Sequence, residues 1–241
     1  MSVFDIVGPV MIGPSSSHTA GAVRLGKMAR GILGERPVAA VITLYGSFAK
    51  TYRGHGTDRA LVAGVLGLSA SDPQIKEAFD LAAQAQIQID IHPVTQSEAH
   101  SNVSVCATDT NGAYKLPAGN LHPNTALIGL TGESGRQVGV WGVSVGGGQI
   151  KICRINDYPV ELTGEYHTLI AAYQDQPGMI AEVTRILAAV NVNIAFMRVV
   201  RRGLGDQALM IIESDQKTPE DTLMAIRALP AVESAMLVAA L

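Results

Sequence analysis

Cysteine is nearly missing from this chain: Cys106 and Cys153 are the two it has among 241 residues. Neither sits in a CxxC pair or at Cys/His ligand spacing, which excludes a readable disulfide framework or self-contained metal site and leaves each thiol as a small buried hydrophobe. Aromatic residues make up only 5% of the chain and charged residues 16%, with a formal charge of -3. That balance offers no basic field for nucleic acid, and no like-charge run for a membrane surface. Long apolar runs are absent too: none approaches the about 18 residues read as a membrane span. The opening "MSVFDIVGPV" lacks the basic and long apolar segments of a secretory signal. The expectation is a cytoplasmic protein that touches neither nucleic acid nor membrane.

What is present is apolar substance, 47% of residues, in a length that exceeds the usual single domain. Two domains are expected, with some apolar surface meeting a partner. Val23, Leu25, Met28, Ala29 and Ile32 recur at helical spacing up to Gly34, and "VAAVITLYGSF" reads as a buried strand. A helix from Thr57, with Thr57 or Asp58 as N-cap, and another from Pro73 follow. Strict alternation puts Ile87, Ile89 and Ile91 on one face, and "NVSVCAT" leads to an Asn111-Gly112 turn, so these strands read as antiparallel. Strand patterning resumes from Leu127 to Ile155, with Gly146 to Gly148 as a turn or bulge. The fold class is α+β, with a first domain over 1–160.

After "NDYPVELTGEYH" breaks the pattern, a shorter series begins: strand "TLIAAYQ", a helix entered by Pro177, strands "NIAFMRVVRR" and "QALMIIES" around Gly203 to Asp206, a helix, and strand "VESAMLVAA". The second helix has Thr218 as its expected N-cap, Pro219 at its first position and Glu220 with Asp221 in its first turn. The order βαββαβ over 167–241 is the ferredoxin-like split motif. "DQPGMIAEVTRILAAVNVNIAFMRV" resembles an ACT domain at its usual spacing. That resemblance implies edge-to-edge self-association and amino-acid binding at Gly178, Met179 and Asn193. An open turn at a helix N-terminus does offer free N–H groups to a carboxylate. The same residues also admit a plainer reading, with Pro177 and Gly178 setting a sharp turn and Asn193 capping an edge.

Near the start, "GPSSSHTAG" sets Ser15, Ser16 and Ser17 at a helix start, where hydroxyls and backbone N–H groups can hold a carboxylate or phosphate. On its own this is one N-cap, two turn residues and a solvated His18. Two further polar clusters weigh against that: "YGSFAKTYRGHGTDRA", with Lys50, Arg53, His55 and Asp58 in a loop after a strand, and "NLHPNTA", with His122 and Asn124. Gly54 and Gly56 read as hinges around His55, and Asp58 reads as an N-cap. "SVGGGQI" lacks the spacing of a nucleotide loop, and Lys50 is too isolated for a Schiff-base enzyme.

"GPSSSHTAG", "RGHGTDRALVAGVLG", "HPNTA" and "GGGQI", in that order and ahead of an ACT domain, resemble the beta chain of iron-sulfur-dependent L-serine dehydratases over essentially the entire chain. The first domain also looks like the allosteric substrate-binding domain of some phosphoglycerate dehydrogenases. The resemblance implies L-serine ammonia-lyase activity, giving pyruvate and ammonia in amino-acid degradation and gluconeogenesis. It implies a 4Fe-4S iron-sulfur cluster on a separate alpha chain, whose open iron acts as a Lewis acid on the substrate hydroxyl. A monovalent cation requirement stays open. Ser15, Ser16, Ser17, Thr19 and Asn124 become substrate-binding candidates and His18 and His55 catalytic ones, since an imidazole titrates near neutrality. No metal ligands are expected in this chain. The alternative is a regulatory module that senses L-serine or a related amino acid for a catalytic partner.

Overall fold

The computed structural model describes residue 11, residues 13–94 and residues 122–241. The expected strand "NVSVCAT", the Asn111-Gly112 turn and Cys106 lie outside the described residues. Two sheets and their helices bear out the α+β class. The chain divides into two compact units, one running to Asp157 with Glu161–Thr163, the other taking Tyr158–Val160 and Gly164–Leu241.

The first sheet holds β1 (Pro37–Tyr45), β2 (Gln88–Pro93), β3 (Asn124–Gly132), β4 (Gln137–Gly146), β5 (Gln149–Ile155) and β6 (Tyr158–Leu162), in the order β2-β1-β3-β4-β5-β6. The expected Gly146 to Gly148 turn joins β4 to β5. β6 was not foreseen, because its five residues fall in the segment where the pattern breaks. β2 runs parallel to β1, from Ala39 opposite Gln88 to Leu44 opposite Pro93, a pairing the sequence did not foresee, while its expected antiparallel pairing with "NVSVCAT" falls outside the described residues. Helices fill the connection between them and carry the chain back to the end where β1 began, so the crossover geometry decides the sense of pairing.

Those helices are α2 (Gly46–His55), α3 (Thr57–Leu66) and α4 (Ala78–Gln84); α1 (Ala22–Leu33) precedes β1. α1 buries Val23, Leu25, Met28, Ala29 and Ile32, the residues its spacing singled out. It meets α3 backbone to backbone: a Cβ at Gly26 would lie 2.3 Å from the Leu61 carbonyl oxygen, and one at Gly64 2.1 Å from that of Val23.

The segment expected to be a loop after β1 is helix α2. Only Phe48 among its residues is buried, so hydrophobic periodicity gave no signal. Its first donors are instead satisfied from outside, with the N–H groups of Ser47 and Phe48 reaching the Pro123 carbonyl at 2.6 and 3.3 Å. Gly46 (φ +58°) turns the chain into α2, and Gly56 (φ +69°) both ends it and stands at the N-cap of α3. The cap of α3 is therefore neither Thr57 nor Asp58. Thr57 is fully buried, and the Asp58 carboxylate accepts the Arg59 N–H at 2.8 Å within the first turn. Pro73 opens a 3₁₀ turn to Glu77, capped by Asp72, which accepts the Gln74 N–H at 2.9 Å, and α4 starts only at Ala78.

The second unit is built from β7 (His167–Gln174), α5 (Met179–Ala189), β8 (Ile194–Arg201), β9 (Gln207–Ser214), α6 (Glu220–Arg227) and β10 (Val232–Val238). Its antiparallel sheet has the order β10-β7-β9-β8, the ferredoxin-like arrangement the sequence predicted. Leu169, Ala171, Tyr173, Met210 and Ile212 of the sheet pack against Val183, Leu187, Leu223 and Ile226 of the helices. The N-cap of α6 is Pro219, one residue later than expected: its ψ of 150° is extended, so the helix begins at Glu220.

Candidate active site

The serine-rich motif folds as one π turn, Ser17–Gly21, that runs straight into α1. The Ser15 carbonyl accepts the Thr19 N–H at 2.8 Å, the Ser16 carbonyl accepts the Gly21 N–H at 2.9 Å, and the Ser15 hydroxyl accepts the His18 N–H at 3.3 Å. Ser15 is thus the side chain that caps this turn, while Ser16 occupies the formal cap position with no capping bond of its own. The wider turn swings His18 and Thr19 inward, leaving them 7% and 2% exposed.

The His18 ring is held on both edges. Nδ1 lies 3.2 Å from the Ser15 hydroxyl and Nε2 3.2 Å from the Ser47 hydroxyl. The His55 ring stands edge to face with it, centroids 4.7 Å apart and planes at 89°, and Phe48 packs at 5.2 Å. Four buried polar atoms nearby in sequence or contact, Thr19 Oγ1, His55 Nδ1, Thr57 Oγ1 and Ser144 Oγ, have no hydrogen-bond partner among the described residues. Native interiors rarely leave such groups unmatched, and functional sites are where they collect.

Burial pushes the His18 pKa below 6.5, and the His55 ring adds to the effect. His18 is therefore neutral at physiological pH. Above pH 6.5 both folded and unfolded chains carry it uncharged. Below that, the unfolded chain takes up a proton that the folded chain resists, so stability declines with acid until the lowered folded pKa is passed. Urea midpoints at neutral pH and about one unit below 6.5 check this: His18→Gln is expected to show the shallower decline.

The fold brings the three sequence clusters together. Ser17 joins Ser15 at 3.4 Å between hydroxyls. Asn124 begins β3 and bridges Gly46, but its side-chain amide donates to the Ser144 carbonyl at 3.4 Å, and its N–H goes to His122 Nδ1 at 3.2 Å. It braces the walls of the site and bonds to neither His18 nor His55. Arg53 lies over the Tyr52 ring at 5.4 Å. Ser47 and Ser144 were missed by the sequence reading. One hydroxyl within "GSFAKTY" and one within a strand carry no signal until another element faces them.

In the second unit Gly178 sits at the N-cap of α5 and lines a cleft of about 300 Å³ with Tyr173, Asp175, Ile180, Val199 and Arg201. The Arg201 guanidinium pairs there with the Asp175 carboxylate at 3.2 Å. Met179 instead belongs to the core, at 6% exposure. Asn193 stands apart from the cleft lining and donates its N–H to Gln216 Oε1 at 3.2 Å. Effector candidates grouped by the sequence are thus separated within one copy of the chain.

An iron-sulfur cluster needs several thiolates in one place. Among the described residues no group of three or more His, Cys, Asp or Glu side chains could hold a metal. Cys153, half-buried, has its thiol pushed up by that burial, away from the ligating form. The described residues do not fit such a cluster. Nor, among them, is any helix long and apolar enough to cross a membrane.

The first unit is α+β and brings His18 and His55 together, and the second has the ferredoxin-like strand order. The serine dehydratase beta chain family model matches residues 2–153 and the ACT domain model residues 167–231. A Bacillus subtilis protein is 39% identical over 229 residues, 95% of this chain and 94% of that one. The L-serine dehydratase beta chain of Peptoniphilus asaccharolyticus is 36% identical over 225 residues, 93% of this chain and 92% of that one. An L-serine dehydratase of Streptomyces coelicolor matches at 42% over 85 residues, 33% of this chain and 18% of its own length. The chain belongs to the serine dehydratase beta chain family and carries a C-terminal ACT domain.

Proposed function

We propose that this chain is the beta subunit of a two-chain L-serine dehydratase and completes a site shared with an alpha chain. The observation that carries the reading is the juxtaposition of His18 and His55, 4.7 Å apart, inside the segment that matches the family. The beta-chain description of the relatives supports a second subunit.

In this reading Ser15, Ser16, Ser17 and Thr19 hold the substrate carboxylate at the helix start, where hydroxyls and the helix dipole favour an anion. His18 has both ring nitrogens engaged by serines, whereas the buried His55 Nδ1 has no partner among the described residues, so His55 takes the proton from the α carbon. The C–H electron pair forms the α,β double bond as the β hydroxyl departs, and that hydroxyl and the proton taken from the α carbon together make up the water released. The aminoacrylate tautomerises to an imine, and water converts that to pyruvate and ammonia. The iron-sulfur cluster belongs to the alpha chain, since the described residues of this one do not fit it.

The cleft at Gly178 favours a second role alongside, binding of L-serine or a related amino acid by the ACT domain, with Arg201 turned to its carboxylate. Self-association through that domain is supported by Ile180 on α5, Val190 at its C-cap and Phe196 on edge strand β8, all exposed.

The test is to purify the tagged chain without oxygen from a host that also expresses the alpha chain. A brown, cysteine-rich partner with L-serine-dependent pyruvate formation is the expected result, and neither chain alone should turn over. Full activity of this chain alone, without iron, overturns the reading. A complex whose turnover survives His55→Gln but loses its response to L-serine leaves only the regulatory module.

A further inference from the structure

We propose that Ser47 is a positioning residue for His18: with Ser15 it clamps both edges of the imidazole and fixes the ring against His55. This rests on the reading that the two histidines serve serine dehydration.

Ser47 is itself immobilised from three sides. Its N–H donates to the Pro123 carbonyl at 2.6 Å, its own carbonyl accepts the Thr51 hydroxyl at 2.9 Å, and Gly46 before it turns through a positive φ. The backbone that carries the hydroxyl is thus held in place, and the hydroxyl itself lies 3.2 Å from His18 Nε2. On the other edge Ser15 is equally constrained, because the same oxygen that meets Nδ1 also accepts the His18 N–H. A neutral imidazole has one N–H and one lone pair, and a hydroxyl can answer either. Two serines thus suit an uncharged ring in either tautomer and hold its plane without a carboxylate. Burial and the facing His55 ring keep that ring uncharged. Phe48, the next residue along α2, closes one side at 5.2 Å, so Ser47 and Phe48 together leave the ring a single orientation. Without the Ser47 hydroxyl the imidazole keeps a partner at the Nδ1 edge alone, and its edge-to-face contact with His55 is less closely fixed.

The experiment pairs kinetics of the assembled two-chain enzyme with ¹⁵N spectra of the histidine-labelled full-length chain. Ser47→Ala is expected to lower kcat by about tenfold or more, with KM within about twofold, because misplacing a catalytic neighbour by a fraction of an ångström has effects of this order. In the spectra the His18 Nε2 resonance should shift as that nitrogen loses its hydroxyl partner. Ser47→Thr should restore both readouts. If Ser47→Ala does not assemble, Ser47→Cys carries the same comparison, since a thiol is a weak donor. A fall in kcat with an unchanged His18 spectrum overturns the proposal in favour of simple packing. A changed spectrum with unchanged kcat overturns any role for Ser47 in the reaction. Full activity of His55→Gln overturns the catalytic reading instead, and the spectra of the isolated chain do not depend on it.

Discussion

Replacing His55 by glutamine is expected to lower kcat of the assembled enzyme by about 10²- to 10⁴-fold, the range a positioned general base contributes. KM should stay within about threefold, because the substrate carboxylate is assigned to the serine cluster and not to this ring. Glutamine keeps a polar group of similar reach but cannot accept and hold a proton at neutral pH. His18→Gln should also cost turnover, through the ring that faces His55. A loss within threefold for both variants, about 0.7 kcal/mol in the barrier, would remove these residues from the chemistry. His55→Gln also takes away the neighbour that helps depress the His18 pKa, so His18 should titrate at higher pH in that variant. The same ¹⁵N spectra record that shift.

Gly64→Val is expected to destabilise the chain by about 4 kcal/mol or more, beyond the usual 1–3 kcal/mol of overpacking. An added Cβ would stand 2.1 Å from the Val23 carbonyl oxygen and 2.9 Å from the Lys27 nitrogen, both backbone atoms that cannot rotate aside. α1 and α3 would have to separate, opening the layer that buries Leu25, Met28 and Leu61. Gly26→Val should act alike from the facing side. Gly54→Ala is the control: its added Cβ meets nothing within 4 Å among the described residues, so exchanging glycine for alanine in α2 should be neutral or stabilising by about 0.5–1 kcal/mol. Urea denaturation of the full chain decides, and an unchanged midpoint for Gly64→Val would mean that the two helices do not meet as described.

Much of the architecture was legible because it is written in short-range pattern. The ferredoxin-like order followed from strands and helices whose apolar residues repeat at two and at 3.6, and the face of α1 followed from the same rule. α2 was illegible for the opposite reason. Its residues are mostly polar and it buries only Phe48, while the Pro123 carbonyl that satisfies its first turn comes from a segment far along the chain. The parallel sense of β2 was hidden likewise, since alternation shows which face is apolar and says nothing of the direction of a neighbour.

By itself the sequence determined the chemistry available to this protein: hydroxyls and imidazoles in three clusters, two cysteines in all, and a second domain of recognisable periodicity. Only the tertiary structure decided which of those groups meet. It set His18 between Ser15 and Ser47, turned it against His55, put Asn124 to bracing the wall, and parted Gly178 from Asn193. Residue type fixes what a group can donate, accept or bind, and that is a local property. Distances between groups tens of residues apart depend on how helices and strands cross, which no local pattern encodes.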